Sequence, residues 1–301
     1  MSKLIDTIAL KRLFLQGVNI IDHMRSANSE HSNDSTAILY SYDLRAGSYI
    51  DALNDPDYVA FKTRRAAIVA ELVDAVKPAS LFDVGTGEGT SLLPLLHQLS
   101  SIPPAVLAFD LSLSRVLYAR NHLGDAVRLF VADMLHIPMA DDSIDVVVTY
   151  HAAEPNGGRE ADIIRELLRV TRRRLILMEP SYELGTPATK SRIERLHYVR
   201  GLPDAIRSLG YSLARHELLE SWRPENQTGL IVVDKEPRGA ADLRFHSPIS
   251  GSPLEERDGY HYSTEDGFVF PEIHGVPCLN PENAVLATRL DQAIASRRAP
   301  R

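Results

Sequence analysis

Asp83, Gly85, Gly87 and Gly89 fall on alternate positions of the run Leu81-Phe82-Asp83-Val84-Gly85-Thr86-Gly87-Glu88-Gly89-Thr90. Glycine has no Cβ, so a backbone rich in it reaches positive φ and lets a ligand approach closely. A carboxylate inside an apolar run needs a cation or hydrogen-bond donors to offset its burial. Two more acids stand in similar places. Asp110 closes the apolar run Ala105-Val106-Leu107-Ala108-Phe109, and Asp133 follows Val127-Arg128-Leu129-Phe130-Val131. A carboxylate at the end of a second strand can accept from both hydroxyls of a ribose, since it offers two oxygens. The chemistry these residues suit is the grip of a ribose-bearing ligand with a positive charge.

The spacing bears on which ligand. A dinucleotide fingerprint requires Gly-x-Gly-x-x-Gly, and here the third glycine arrives one position early, at Gly89, leaving Thr90 in its place. The order Asp-x-Gly-x-Gly-x-Gly instead resembles motif I of the class I S-adenosylmethionine-dependent methyltransferases. That resemblance implies S-adenosyl-L-methionine as cofactor and S-adenosyl-L-homocysteine as product, with no metal. It places Asp83, Gly85, Thr86, Gly87 and Gly89 around the methionine end, the acid helping to hold the ammonium. It gives Asp110, with Leu111, to the ribose, and Asp133, with Met134, to the adenine. Tyr40-Ser41-Tyr42-Asp43 and Tyr49 resemble the Tyr-Asp-rich leading segment of small-molecule methyltransferases of the ubiquinone-biosynthesis type, which implies that Tyr42 and Tyr49 line the transfer pocket. An aromatic face can meet a sulfonium through its negative π-cloud.

Methyl transfer from a sulfonium is an in-line displacement that asks the enzyme for alignment and exclusion of water. A hydroxyl acceptor also needs a base, whereas an amine needs only to arrive neutral. The run Tyr150-His151-Ala152-Ala153-Glu154 supplies candidates: His151 as base, and Glu154 to orient it or to bind a cationic acceptor. Glu179, Tyr182 and Glu183 are further candidates, and Arg45, Lys62, Arg64 and Arg200 are expected at the mouth, suited to a carboxylate or phosphate. Arg172-Arg173-Arg174 reads as helix-terminal and solubilising charge rather than a nucleic-acid patch.

The elements that must carry these groups alternate. Strands are expected at 81–84, 105–110, 127–131, 144–150 and 174–180, with helices between them and a final strand pair at 212–219 and 228–234. The resemblance covers about Ala66 to Lys235 and implies an α/β fold: a doubly wound, mostly parallel seven-stranded sheet with helices on both faces. Ahead of it, apolar residues at helical spacing predict one amphipathic helix over 3–25, serving as a lid, a packing face or a contact in a homodimer, and then a loop over 27–35. The expected division is a helical lid at 1–60, the core at 61–237 and a small β-rich unit at 238–301.

That last unit resembles the zinc-ribbon domain that activates certain tRNA and protein methyltransferases. Ser247, Ser250, Ser263 and Asp266 stand where that family has its metal cysteines. Without thiolates the expectation is no zinc, with short strands held by Leu254, Tyr260, Tyr262, Phe268 and Phe270. Cys278 is expected as a packing residue and the 297–301 end as frayed.

Composition narrows the rest. The 301 residues carry 33 basic and 40 acidic side chains, a net charge of −7, which argues against a general polyanion binder. One cysteine excludes an internal disulfide framework, and neither a membrane span nor a secretion signal is evident, so the expected location is cytoplasmic. The leading expectation is O- or N-methylation of a small-molecule acceptor such as a sugar, amino-acid derivative or natural-product intermediate. The alternatives are an RNA methyltransferase, which the charge disfavours, and a non-catalytic cofactor-binding scaffold.

Overall fold

The computed structural model describes residues 6–28 and 33–296. Leu4, Ile5, part of the 27–35 loop and the basic end at 297–301 lie outside them. Four helices lead: α1 (Thr7–Leu15), α2 (Ile20–Asn28), α3 (Ser35–Asp43) and the single turn α4 (Ser48–Asp51). The one helix expected over 3–25 is therefore two. Gly17 takes a φ of +80° between them, and Asn19 restarts the helix by accepting the Ile21 amide at 3.1 Å. Leu10, Ile20, Met24 and Ala37 bury a small core of their own.

The central part runs α5 (Pro56–Asp74), β1 (Ser80–Val84), α6 (Leu92–Gln98), β2 (Ala105–Asp110), α7 (Leu113–Leu123), β3 (Arg128–Val131), β4 (Ile144–Tyr150), α8 (Glu160–Val170), β5 (Thr171–Pro180), α9 (Pro187–Leu196), α10 (Leu202–Ser208), β6 (Arg215–Leu218) and β7 (Thr228–Asp234). The seven strands lie in the order β3-β2-β1-β4-β5-β7-β6. The first five are parallel, and β7 runs antiparallel to both β5 and β6. Strand order reverses between β1 and β4, and in such sheets the crevice for a ligand opens outside the strands' carboxyl ends at that point.

Alternation along each strand feeds two cores. Phe82, Phe109 and Phe130 form one aromatic layer with ring centroids 5.4–5.9 Å apart, and Ile163, Leu167 and Ile206 of α8 and α10 belong to the same core. Leu81, Val106, Val146 and Ile176 share the other core with Val69 of α5, Leu95 of α6 and Val116 of α7. Residues facing opposite sides of a strand must alternate, which is why a doubly covered sheet reads as continuous apolar runs.

Strand β5 begins earlier than the expected 174. Arg172 and Arg174 lie in it, and neither is free solubilising charge. Arg172 pairs with buried Asp145 at 2.8 Å, and Arg174 with Asp234 at 2.6 Å.

The tail adds β8 (Glu255–Arg257), β9 (Tyr260–Tyr262), β10 (Phe268–Ile273), β11 (Val276–Pro277), β12 (Val285–Leu286) and α11 (Leu290–Ser296), its strands forming a five-stranded sheet. Phe245, Leu254, Phe270 and Leu279 join the core of Phe82 and Phe130, and the Leu279 amide donates to the Val131 carbonyl at 2.8 Å, extending the β3 edge. Tyr260 and Phe268 are only half-buried, whereas Cys278 is buried as expected of a packing residue. The four residues in the ribbon's cysteine places converge. Ser247 and Ser250 both donate to Asp266, at 2.8 and 2.6 Å, and Ser252 links Ser250 to Ser263 at 2.7 and 2.8 Å. A hydroxyl–carboxylate network thus holds the loops here.

Candidate active site

A cavity of about 620 Å³ opens at the carboxyl ends of the parallel strands, roofed by α3 and α4. The structure brings Tyr42, Tyr49, Gly85, Thr86, Gly87, Asp110, Leu111, Asp133, Met134, His151 and Glu154 to its wall, as the sequence predicts. Asp83 and Gly89 are not part of that wall. Asp83 is buried beneath it in β1. Gly89, φ +75°, packs instead: a Cβ there would meet Leu123 of α7 at 2.8 Å. Gly87 is one of two cavity glycines, with Gly85, that leave no room for a side chain. Its φ is +60°, and a Cβ would stand 2.4 Å from the Arg115 guanidinium.

The rim acids are held by the chain itself. Asp110 accepts the amides of Gly87 at 2.9 Å and of Ser112 at 3.0 Å. Asp133 accepts the Leu135 amide at 2.9 Å and the Ser35 hydroxyl at 2.8 Å. Ser112 also caps α7 through the Arg115 amide, and its hydroxyl donates to Asp43 of α3 at 2.5 Å. Glu88 accepts the amides of Gly47, Tyr49 and Ile50 at 2.8–3.1 Å, clasping the first turn of α4. The lid is therefore pinned at three points, each adjoining a rim residue. Asp83 is the exception. Both of its oxygens are buried with no partner, and burial pushes its carboxyl up to about 7.

Arg115 and Glu88 were missed in the sequence reading. Arg115 sits 4.8 Å from the Tyr49 ring and 5.3 Å from that of Tyr42, with Asp110 and Glu88 each at 3.7 Å. Its position in an apparently ordinary capped helix concealed it.

On the other side of the cavity His151 directly follows β4 with φ +54°. That bend is uncommon for a residue with a side chain and is held by several bonds. Its amide donates to the Met178 carbonyl at 2.8 Å, and its ring spans Glu154 at Nδ1 and Thr228 at Nε2, both 2.8 Å. A carboxylate only accepts, so Nδ1 carries the proton toward Glu154 and Nε2 accepts from the Thr228 hydroxyl. Burial lowers the His151 pKa despite Glu154, which favours the neutral ring. Glu179 sits behind the loop rather than in the cavity. It accepts from the Thr149 hydroxyl at 2.7 Å and from the amides of Ala152 and Glu154 at 3.1 and 3.0 Å.

The other candidates divide. Arg45 and Lys62 reach the wall. Arg64 instead pairs with Glu220 at 2.7 Å on the surface, Tyr182 donates to Glu194 and Glu183 accepts from Gly201, so none of these three faces the cavity. Arg200 is likewise off the wall. Among the described residues no cluster of three or more His, Cys, Asp or Glu could hold a metal ion, and no helix is long and apolar enough to cross a membrane.

Residues 81–174 match the family model described as a methyltransferase domain. Magnesium protoporphyrin IX methyltransferase from Synechocystis PCC 6803 with bound SAH is similar in structure, at 16% identity and a TM-score of 0.51, over 67% of this chain and 100% of that one. The same enzyme with bound SAM aligns at 15% identity and a TM-score of 0.49, over 69% and 100%. Geranyl diphosphate C-methyltransferase from Streptomyces coelicolor A3(2) aligns at 15% identity and a TM-score of 0.41, over 52% and 70%. No curated protein sequence matches the chain. The matched segment is a methyltransferase domain, and the fold around it is that of the class I, S-adenosylmethionine-dependent methyltransferases. The chain thus carries a methyltransferase domain. The match ends at residue 174 and does not reach the tail.

Proposed function

We propose that the chain methylates an oxygen or nitrogen of a small-molecule acceptor, with the donor over β1–β3 and the acceptor over β4, β5 and β7. One observation carries the acceptor half of this reading: a neutral His151, fixed between Glu154 and Thr228, faces the same cavity as the rim acids.

The residues present fit the donor. The orphaned Asp83 carboxylate needs a cation and would take the ammonium through the Gly85–Gly87 bend. Asp110 keeps lone pairs beyond its two amide bonds for the ribose hydroxyls, and Asp133, with Met134, would meet the adenine. Tyr42 and Tyr49 close the lid side, and burial keeps both phenols protonated. Bound there, the donor supplies a methyl group already activated on a sulfonium. The protein's task is to align the acceptor and exclude water. His151 Nε2 accepts a proton from a hydroxyl acceptor, either through the Thr228 hydroxyl or after that side chain turns aside, and Glu154 stabilises the cation that results.

The scaffold alternative predicts donor binding without turnover. The RNA alternative drew on the tail, and among the described residues the cavity wall ends at Thr228, before the tail begins. The test is incubation of the full chain with methyl-labelled S-adenosyl-L-methionine and a cell extract. Label should enter the small-molecule fraction and be insensitive to ribonuclease. Label confined to RNA, or no transfer beside intact donor binding, would replace this reading with one of the alternatives.

A further inference from the structure

Arg65 of α5 reaches the cavity wall with its Nε and Nη2 sealed from solvent and without a partner. The Tyr150 hydroxyl, at the end of β4 on the same wall, is likewise buried and unpartnered. Buried donors are nearly always paired, so two adjoining orphans mark a place shaped for something the chain does not supply. Both donate, and one carries a charge; what they lack is an anionic acceptor of hydrogen bonds. The guanidinium's Nε and Nη2 form a planar fork that matches two carboxylate oxygens.

The orphan pair stands where the two halves meet, since the Tyr150 hydroxyl faces Asp83 as well as Arg65. The ionisable groups facing Arg65 are Tyr150, Tyr58, Glu179 and Glu220, on β4, α5, β5 and the segment after β6, together with Lys62 on its own helix and His151 after β4. Lys62, one turn earlier on the same side of α5, is already engaged: it donates to Thr90 and Ser91 beside the glycine bend, at 3.2 and 2.8 Å. Beside Arg65 the rings of Tyr58, Phe61 and Trp222 meet at centroid distances of 5.1–6.3 Å, and the guanidinium lies 5.3 Å from the Phe61 ring. An apolar wall ending in an unpaired cation fits a molecule with an apolar body and one oxyanion.

We propose that Arg65 and Tyr150 form the anchor for a carboxylate on an apolar or aromatic acceptor, an inference that deepens the small-molecule reading and rests on it. The guanidinium holds the carboxylate through its fork, the Tyr150 hydroxyl adds a third donor, and the Tyr58–Phe61–Trp222 wall takes the apolar body. Arg65 is a specificity residue in this account, since it binds acceptor and moves no proton.

The experiment uses the full chain saturated with S-adenosyl-L-homocysteine, titrated calorimetrically with phenylacetate, phenyl phosphate and the neutral 2-phenylethanol. Phenylacetate should bind about tenfold or more tighter than 2-phenylethanol, as expected for a charge-assisted pair. Arg65→Met should erase that difference, with affinity for S-adenosyl-L-homocysteine unchanged within about twofold, and Tyr150→Phe should lower phenylacetate affinity several-fold. Arg65→Lys, which keeps the charge without the fork, should retain part of the preference and serves if Arg65→Met does not fold. Tighter binding of phenyl phosphate would move the anchor from carboxylate to phosphate and overturn the carboxylate assignment. The anchor itself is overturned by equal binding of acid and alcohol, by no binding of either anion at roughly 10 mM, or by loss of S-adenosyl-L-homocysteine affinity in Arg65→Met. Failure of the wild-type chain to bind S-adenosyl-L-homocysteine would defeat the donor-site reading instead, and the probes can be titrated without it.

Discussion

The two halves of one cavity are built on opposite plans. Over β1–β3 the acids are already satisfied: Asp110 and Asp133 accept backbone amides from residues close by, and Glu88 clasps the lid. Over β4, β5 and β7 the groups come from distant parts of the chain, and two of them, Arg65 and Tyr150, have no partner. Amide bonds fix where a carboxylate's remaining lone pairs point, which suits a donor that is always the same molecule. Unpaired groups cost stability and are kept where a ligand completes them. On the donor side Asp83, Thr86 and Arg115 also have buried atoms without a partner, and Asp83 is the only acid among them.

The comparison can be broken most sharply on the acceptor side. His151→Gln should lower turnover about a hundredfold, the scale of general base catalysis, with little change in affinity for S-adenosyl-L-homocysteine. Steady-state kinetics beside calorimetry would check this, and unchanged turnover would make His151 a wall residue only. Asp83→Asn comes next, with an expected loss of about tenfold in affinity for S-adenosyl-L-homocysteine. Because burial raises the Asp83 carboxyl to about 7, the free protein holds a proton that the unfolded chain releases near 4. Its stability should therefore fall as pH rises from about 4 to about 7, while affinity for the ammonium-bearing ligand rises through about 7. Asp83→Asn should flatten both trends, as followed by thermal melts and by titration across that range. The smallest effect belongs to the lid. Ser35→Ala removes one hydrogen bond to Asp133 and should weaken binding of S-adenosyl-L-homocysteine by a few-fold, measured in the same titration.

Legibility followed the same division. Strands β4 and β7 lie where their β-branched runs predict, and the rim acids stand out because Asp110 closes its strand and Asp133 comes two residues after its own. Period and turn chemistry are local, so a single sequence carries them. The break in the lid helix was readable too: Gly17 and Asn19 are a stop and a start placed together, and the apolar periodicity masked them. Arg172 and Arg174 were misread because their partners Asp145 and Asp234 lie on other strands. Arg65 and Trp222 gave no local sign, since only the folded sheet brings α5, β4 and the segment before β7 together. Arg64, its neighbour, looked equally suited to the mouth and points to the surface instead.

The central claim is that one cavity holds a ribose and an ammonium between Asp110 and Asp83. Calorimetric titration of the full chain with S-adenosyl-L-homocysteine, wild type beside Asp110→Ala, tests it most directly. Saturable binding by the wild type, weakened about tenfold or more in the variant, is the predicted result; no binding by the wild type, or equal binding by both, would contradict it.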